Sequence, residues 1–200
     1  MAKKNVTLQQ YLYLMSRQIG YVEKPVNRTK YSRKFGVRIA QWCGYLHNWL
    51  AVTLGWKLGV DVPDTAYTPN GVAWFKKHGK FFTKGSIPEG AWCYFDFPND
   101  GLNRVSHIGT CVYDFGDGDV LTIEGNTSGN KAVRPDERNG GEVAVKIRPK
   151  KWIVGWGVPP YFPAPAPIVD DLIHQYAPHK VKFTFDVEFV PDKKLEKKVK

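Results

Sequence analysis

The chain has 200 residues, 42% of them hydrophobic, with seven tryptophans and a formal net charge of +10. That length and apolar content exclude a disordered or fibrous polypeptide and predict one globular domain with room for an appendage. No apolar run approaches the roughly 18–20 residues of a membrane span, and the N-terminus lacks the apolar core of a signal peptide, so the chain is expected to be made and held in the cytosol.

The charge is unevenly placed. Residues 1–60 hold ten Lys and Arg, among them Arg28, Lys30, Arg33, Lys34 and Arg38, against the single carboxylate Glu23. Such asymmetry favours an anionic partner: nucleic acid, a membrane surface or an anionic cell-wall polymer. A solvated basic face accounts for it equally well. Cys43, Cys93 and Cys111 are odd in number and form no C-x-x-C pair, which excludes a zinc ribbon pattern and predicts at least one free thiol.

In chain order, Leu8, Tyr11, Leu12, Met15 and Ile19 recur at helical spacing, with Thr7 as N-cap and Gly20 as stop. Tyr21 to Gly36 is a basic loop with a helical turn around Tyr31 to Phe35. Trp42 to Leu58 reads as the longest helix, its stripe formed by Leu46, Trp49, Leu50, Thr53 and Leu54, with Gly59 ending it. A fourth helix is expected over Pro69 to Lys77, capped by Thr68, with Val72, Trp74 and Phe75 facing inward.

Beyond Gly79 the period changes from 3.6 to 2. Strands are expected at Ala91–Phe97, Val105–Tyr113, Val120–Glu124, Glu142–Ile147 and Trp152–Val158, separated by turns such as Asn99-Asp100-Gly101 and Gly116-Asp117-Gly118. Helices followed by a strand meander imply an α+β domain, N-terminal helices packed on an antiparallel sheet. The domain, 1–158, is followed by a stiff extended linker, 159–167, and by an extension, 168–200. In that extension Val181, Phe183, Phe185, Val187 and Phe189 alternate like a strand, and the end is basic. No internal repeat is present.

Chemistry is concentrated at Gln41-Trp42-Cys43, where a loop gives way to a helix. A thiol there meets unpaired backbone N–H groups and the positive end of the helix dipole, which favour the thiolate. The plainer alternative is a small buried core residue. A nucleophile needs a base and the base an orienting group. His174 and His179 lie beyond the linker and His78 in a Lys-rich helix end. His47, four residues after Cys43, would crowd the sulfur and leave no substrate position, so it reads as structural. His107 opens a strand, and the next strand ends with Glu124 and Asn126. If the two strands pair, a carboxylate or amide from Glu124 or Asn126 reaches the imidazole and fixes its tautomer. Cys93 and Cys111, without such partners, read as strand-core residues.

These segments resemble the CHAP domain, the cysteine- and histidine-dependent amidohydrolase/peptidases of papain-like fold. The resemblance rests on Gln41-Trp42-Cys43, Val105-Ser106-His107-Ile108-Gly109 and Ile123-Glu124-Gly125-Asn126-Thr127. Thr68 to Phe75, Tyr94 to Phe97 and Ile153 to Gly157 support it, so that it covers about residues 7 to 158. It implies that Cys43 is the nucleophile and His107 the general base, that Glu124 and Asn126 orient and polarise the histidine, and that Gln41 or Trp42 contributes to the oxyanion or substrate site. It further implies amide cleavage in peptidoglycan by an endolysin-like enzyme, held in the host cytoplasm until released to the wall. The basic N-terminal half would meet anionic wall polymers.

Two departures matter. Gly90-Ala91 stands where the family often has Gly-Asp. The loop Val26 to Ile39, where some relatives carry calcium-binding acids, has no carboxylate, so neither metal nor cofactor is expected. The alternatives are a virion- or tail-associated wall hydrolase and a non-catalytic wall-binding module. Nucleic-acid binding is disfavoured, because the aromatics follow apolar patterns rather than interleaving with the cations.

Overall fold

The computed structural model describes residues 5–98, 100–129 and 136–180. Its first helix, α1 (Leu8–Ser16), begins with a capping box: the Thr7 hydroxyl accepts from the Gln10 N–H and Gln10 Oε1 accepts from the Thr7 N–H. Two of the four orphan N–H groups of the helix start are satisfied in this way. A single turn, α2 (Lys30–Arg33), follows with Thr29 as its cap. Then come α3 (Cys43–Leu54) and α4 (Thr68–Lys77).

Helix α3 stops four residues earlier than expected. Gly55, left-handed at φ 92°, is the C-cap that closes the last turn, ahead of Gly59. Thr68 is the first residue of α4 rather than its cap, a role taken by Tyr67. Phe75 and Val72 are buried, whereas Trp74 is half-buried and stacks on His78 at 3.9 Å.

Six strands form one antiparallel sheet: β1 (Phe81–Phe82), β2 (Trp92–Phe95), β3 (His107–Asp114), β4 (Asp119–Thr127), β5 (Glu142–Pro149) and β6 (Ile153–Gly157). Their order is β1-β6-β2-β3-β4-β5. Thus β2 to β5 form the expected meander, and β6 returns across the molecule to pair with β2. The two-residue β1 is too short to give a period-2 signal.

Both faces of the central strands are covered. Trp92, Tyr94, Ile108, Val112, Leu121 and Ile123 join the helices in the main core. Cys93, Phe95, Cys111 and Val120 point the other way, into a second cluster with Ile87, Phe97 and Trp156. Every side chain of β2 is therefore buried. Each large apolar group so buried contributes roughly 1.5–3 kcal/mol.

The packed unit expected to close at residue 158 continues beyond it. The Tyr161 hydroxyl donates to the Gly90 carbonyl, and its ring packs on Tyr11 and Trp56. A fifth helix, α5 (Ile168–Tyr176), buries Ile168, Val169, Leu172 and Ile173 in the main core beside α1 and β3. The helix is amphipathic over about two and a half turns, with Asp170 and Asp171 on its exposed side. The alternating residues 181–189 and the basic end lie outside the described residues.

Candidate active site

Cys43 is the first residue of α3, and its N-cap, Trp42, supplies no side-chain hydrogen bond. The N–H groups of the first turn are therefore left to other acceptors near the sulfur. Two features hold this helix start. Trp42 is fully buried, stacks on Tyr31 at 5.4 Å and donates its indole N–H to Glu23 at 2.6 Å. Gly44 lies so close to the Thr65 carbonyl that a β-carbon could not be accommodated. Trp42, expected near substrate, thus anchors the helix through its side chain, while the neighbouring Gln41 is exposed.

His107 starts β3 and is fully buried, with the rings of Phe97 and Phe95 at 5.3 and 5.9 Å. Its Nε2 donates to Glu124 Oε2 at 3.1 Å. Glu124 does not lie opposite His107 in the ladder but opposite Gly109, two residues along. The carboxylate must cross β3 diagonally, and Gly109 makes room: a β-carbon there would lie 2.7 Å from Glu124 Cγ. The motif His-x-Gly is therefore a steric requirement of the pair.

The carboxylate of Glu124 is saturated with donors. Oε1 accepts from Thr122 Oγ1 at 2.7 Å and Arg148 Nε at 2.8 Å, and Oε2 accepts from Arg148 Nη2 at 2.6 Å besides His107. Arg148, itself buried, also reaches Glu137 at 2.7 Å and lies over the Phe97 ring at 5.0 Å. Burial alone would raise the Glu124 pKa; the charge and hydrogen bonds of Arg148, with those of His107, outweigh it and hold the carboxyl well below its usual range.

The remaining nitrogen of His107, Nδ1, is buried without a formed hydrogen bond. The Cys43 thiol comes close enough to act on the ring by hydrogen bonding and charge, although its geometry falls short of a completed bond. Burial disfavours the imidazolium, but Cys43 first and Glu124 second outweigh burial and raise the His107 pKa to about 9. Nδ1 is thus the ring nitrogen not engaged by Glu124.

Asn126 occupies a bulge in β4, between Glu124 and Thr127, with φ 60°. Its side chain does not join His107. The amide donates to Asn139 Oδ1 at 3.1 Å, its backbone carbonyl accepts from the Gly140 N–H, and Oδ1 is buried without a partner. The bulge reverses the shared facing that simple alternation implies for Glu124 and Asn126.

His47 is fully buried one turn from Cys43, and burial above all lowers its pKa to about 4. Neutral, it donates Nδ1–H to the Cys43 carbonyl at 3.0 Å and accepts at Nε2 from Thr110 Oγ1, which accepts in turn from the Tyr11 hydroxyl. It is a scaffold side chain. Cys93 and Cys111 are buried in the second cluster; the hydrogen bond from Cys93, then burial, pushes the Cys111 thiol up.

Sequence reasoning missed Arg148, Thr122 and Glu137. Arg148 was within reach of it, since Ala144, Lys146 and Arg148 alternate on the face of β5 that meets Thr122 and Glu124, but the expected strand stopped at Ile147. Among the described residues, no three His, Cys, Asp or Glu side chains are grouped to hold a metal ion.

No protein-family model matches the chain, and no curated protein matches it. Among solved structures it is similar to the crystal structure of a wild type endolysin, LysIME-EF1, at 17% identity and a TM-score of 0.43. The similarity covers 78% of this chain and 65% of the endolysin, so the chain spans somewhat less than two thirds of that protein's length.

Proposed function

We propose that the chain is a cysteine hydrolase that cleaves an amide bond of peptidoglycan, in the manner of an endolysin. One observation carries the catalytic reading: Cys43 stands at an uncapped helix start beside an imidazole whose far nitrogen is bound to a saturated, buried carboxylate. The choice of peptidoglycan rests on the CHAP-like motifs.

In this mechanism the proton of Cys43 resides on His107 Nδ1, and the thiolate attacks the amide carbonyl. The first-turn N–H groups of α3 stabilise the oxyanion, with Gln41 at the rim. His107 passes its proton to the leaving amine as the C–N bond breaks, leaving a thioester. It then takes a proton from water, whose oxygen displaces the sulfur and frees the acid. Glu124 holds the ring and balances its charge. Asn126, held by Asn139 at the adjacent bulge, shapes the polar wall beside it.

The test is mass spectrometry of fragments released from purified peptidoglycan by wild type and by Cys43→Ala. Wild type should release new amino termini or freed lactyl groups, and the variant should be slower by about 10⁴-fold or more. Equal release by both would remove the mechanism.

A further inference from the structure

The N-terminal cations are gathered by the fold into a cleft of about 420 Å³, in which Lys24, Arg28, Lys30, Arg33 and Lys34 converge. Among the described residues none of the five pairs with a carboxylate, although Lys146, Lys150 and Lys180 elsewhere all do. Glu23, adjacent in sequence, is buried and turned inward to Trp42. Lys30 is held with its Nζ 5.2 Å from the centroids of Tyr21, Tyr31 and Trp49, an ammonium secured by π faces without an anion. Partial burial lowers its pKa, as expected for a cation whose own charge has not been balanced.

We propose that this cleft binds the phosphodiester backbone of an anionic wall polymer and so holds the protein against its substrate. The polymer is preferred over nucleic acid because the rings of the cleft are engaged by Lys30 and offer no free stacking platform for bases. It is preferred over a membrane because a concave site encloses a chain, whereas a bilayer meets a flat or convex face. Trp49 of the cleft and Cys43 are six residues apart on α3, a rise of roughly 9 Å, so one helix carries both the cleft wall and the candidate nucleophile. The choice of a wall polymer rests on the proposed wall hydrolase; the cleft and its anion chemistry do not.

The experiment uses the full chain with Cys43→Ala, so that binding is read without hydrolysis. It is titrated with poly(glycerol phosphate), with phosphatidylglycerol vesicles and with a single-stranded oligonucleotide of matched charge. The polymer should bind most tightly, and more weakly as salt rises. In Arg28→Glu/Arg33→Glu/Lys34→Glu, whose fold is checked by its thermal transition, polymer affinity should fall by about tenfold or more. With Cys43 restored, that triple variant should hydrolyse polymer-free peptidoglycan at the wild-type rate. Unchanged polymer affinity in the variant overturns the proposal, as do tighter binding of vesicles or oligonucleotide and loss of hydrolysis on polymer-free walls. Absence of hydrolysis by wild type would instead strike the proposed function and leave the binding result intact.

Discussion

His47 and His107 are both fully buried, both close to Cys43, and driven to opposite charge states. Around His47 the partners are a carbonyl, a hydroxyl and the edge of Trp92, none charged, so desolvation wins and its pKa falls to about 4. Around His107 the same desolvation is outweighed by a thiol and an ionised carboxylate, and the pKa rises to about 9. Burial sets the cost of a charge, but the neighbours decide whether it is met. One histidine is thereby a strut and the other, in the proposed mechanism, the proton carrier.

The largest way to break this contrast is Glu124→Gln. It removes the anion that favours the imidazolium and turns an acceptor into a group that can clash with Arg148. Activity should fall by about 10³-fold. The alkaline limb of kcat/KM, expected near pH 9 from His107, should move to lower pH. An unmoved limb would detach His107 from catalysis.

Arg148→Met attacks the same site from behind. It strands Glu124 as a buried anion with half its donors gone, at a cost of about 3–5 kcal/mol in unfolding free energy. Denaturant unfolding checks it. A loss no greater than that of an exposed ion pair would show the network to be dispensable.

The two histidines also predict the shape of the stability curve. His47 has a lowered folded pKa, so its contribution is full above pH 6.5 and is lost as pH falls towards 4. His107 has a raised one, so its contribution is full below 6.5 and is lost as pH rises to about 9. Each slope is worth up to about 3 kcal/mol, and stability should peak near neutrality on the acid side. His47→Gln should flatten the acid slope and leave the alkaline one. A unchanged acid slope would mean that the depressed pKa is not a property of the folded chain.

Much of this arrangement was legible in the sequence because it depends on local periodicity. The Thr7 cap, the α1 stripe as far as Met15, the onset of α3 within one residue of Trp42 and the alternation through β3 and β4 follow from residue type and spacing. What was not legible depends on contacts distant in sequence or on a single backbone angle. Gly55 and Gly59 are equally good helix stops on paper; the helix ends at the first, and Trp56 just after it is buried in the core. The bulge at Asn126 breaks the parity that places Glu124 and Asn126 on one face. Arg148 reads as a surface cation until β5 pairs with β4, and α5 is recognisable as core only once α1 and β3 offer it a face.

The most direct test of the Cys43–His107 pairing is an NMR titration of the imidazole nitrogens in wild type and Cys43→Ala. In wild type, His107 should hold both ring protons through neutrality and lose one near pH 9, while His47 stays neutral down to about pH 4. Removal of the sulfur should lower the His107 midpoint and leave His47 in place. A His107 midpoint at its ordinary value of about 6.5, or one indifferent to the loss of Cys43, would contradict the pairing.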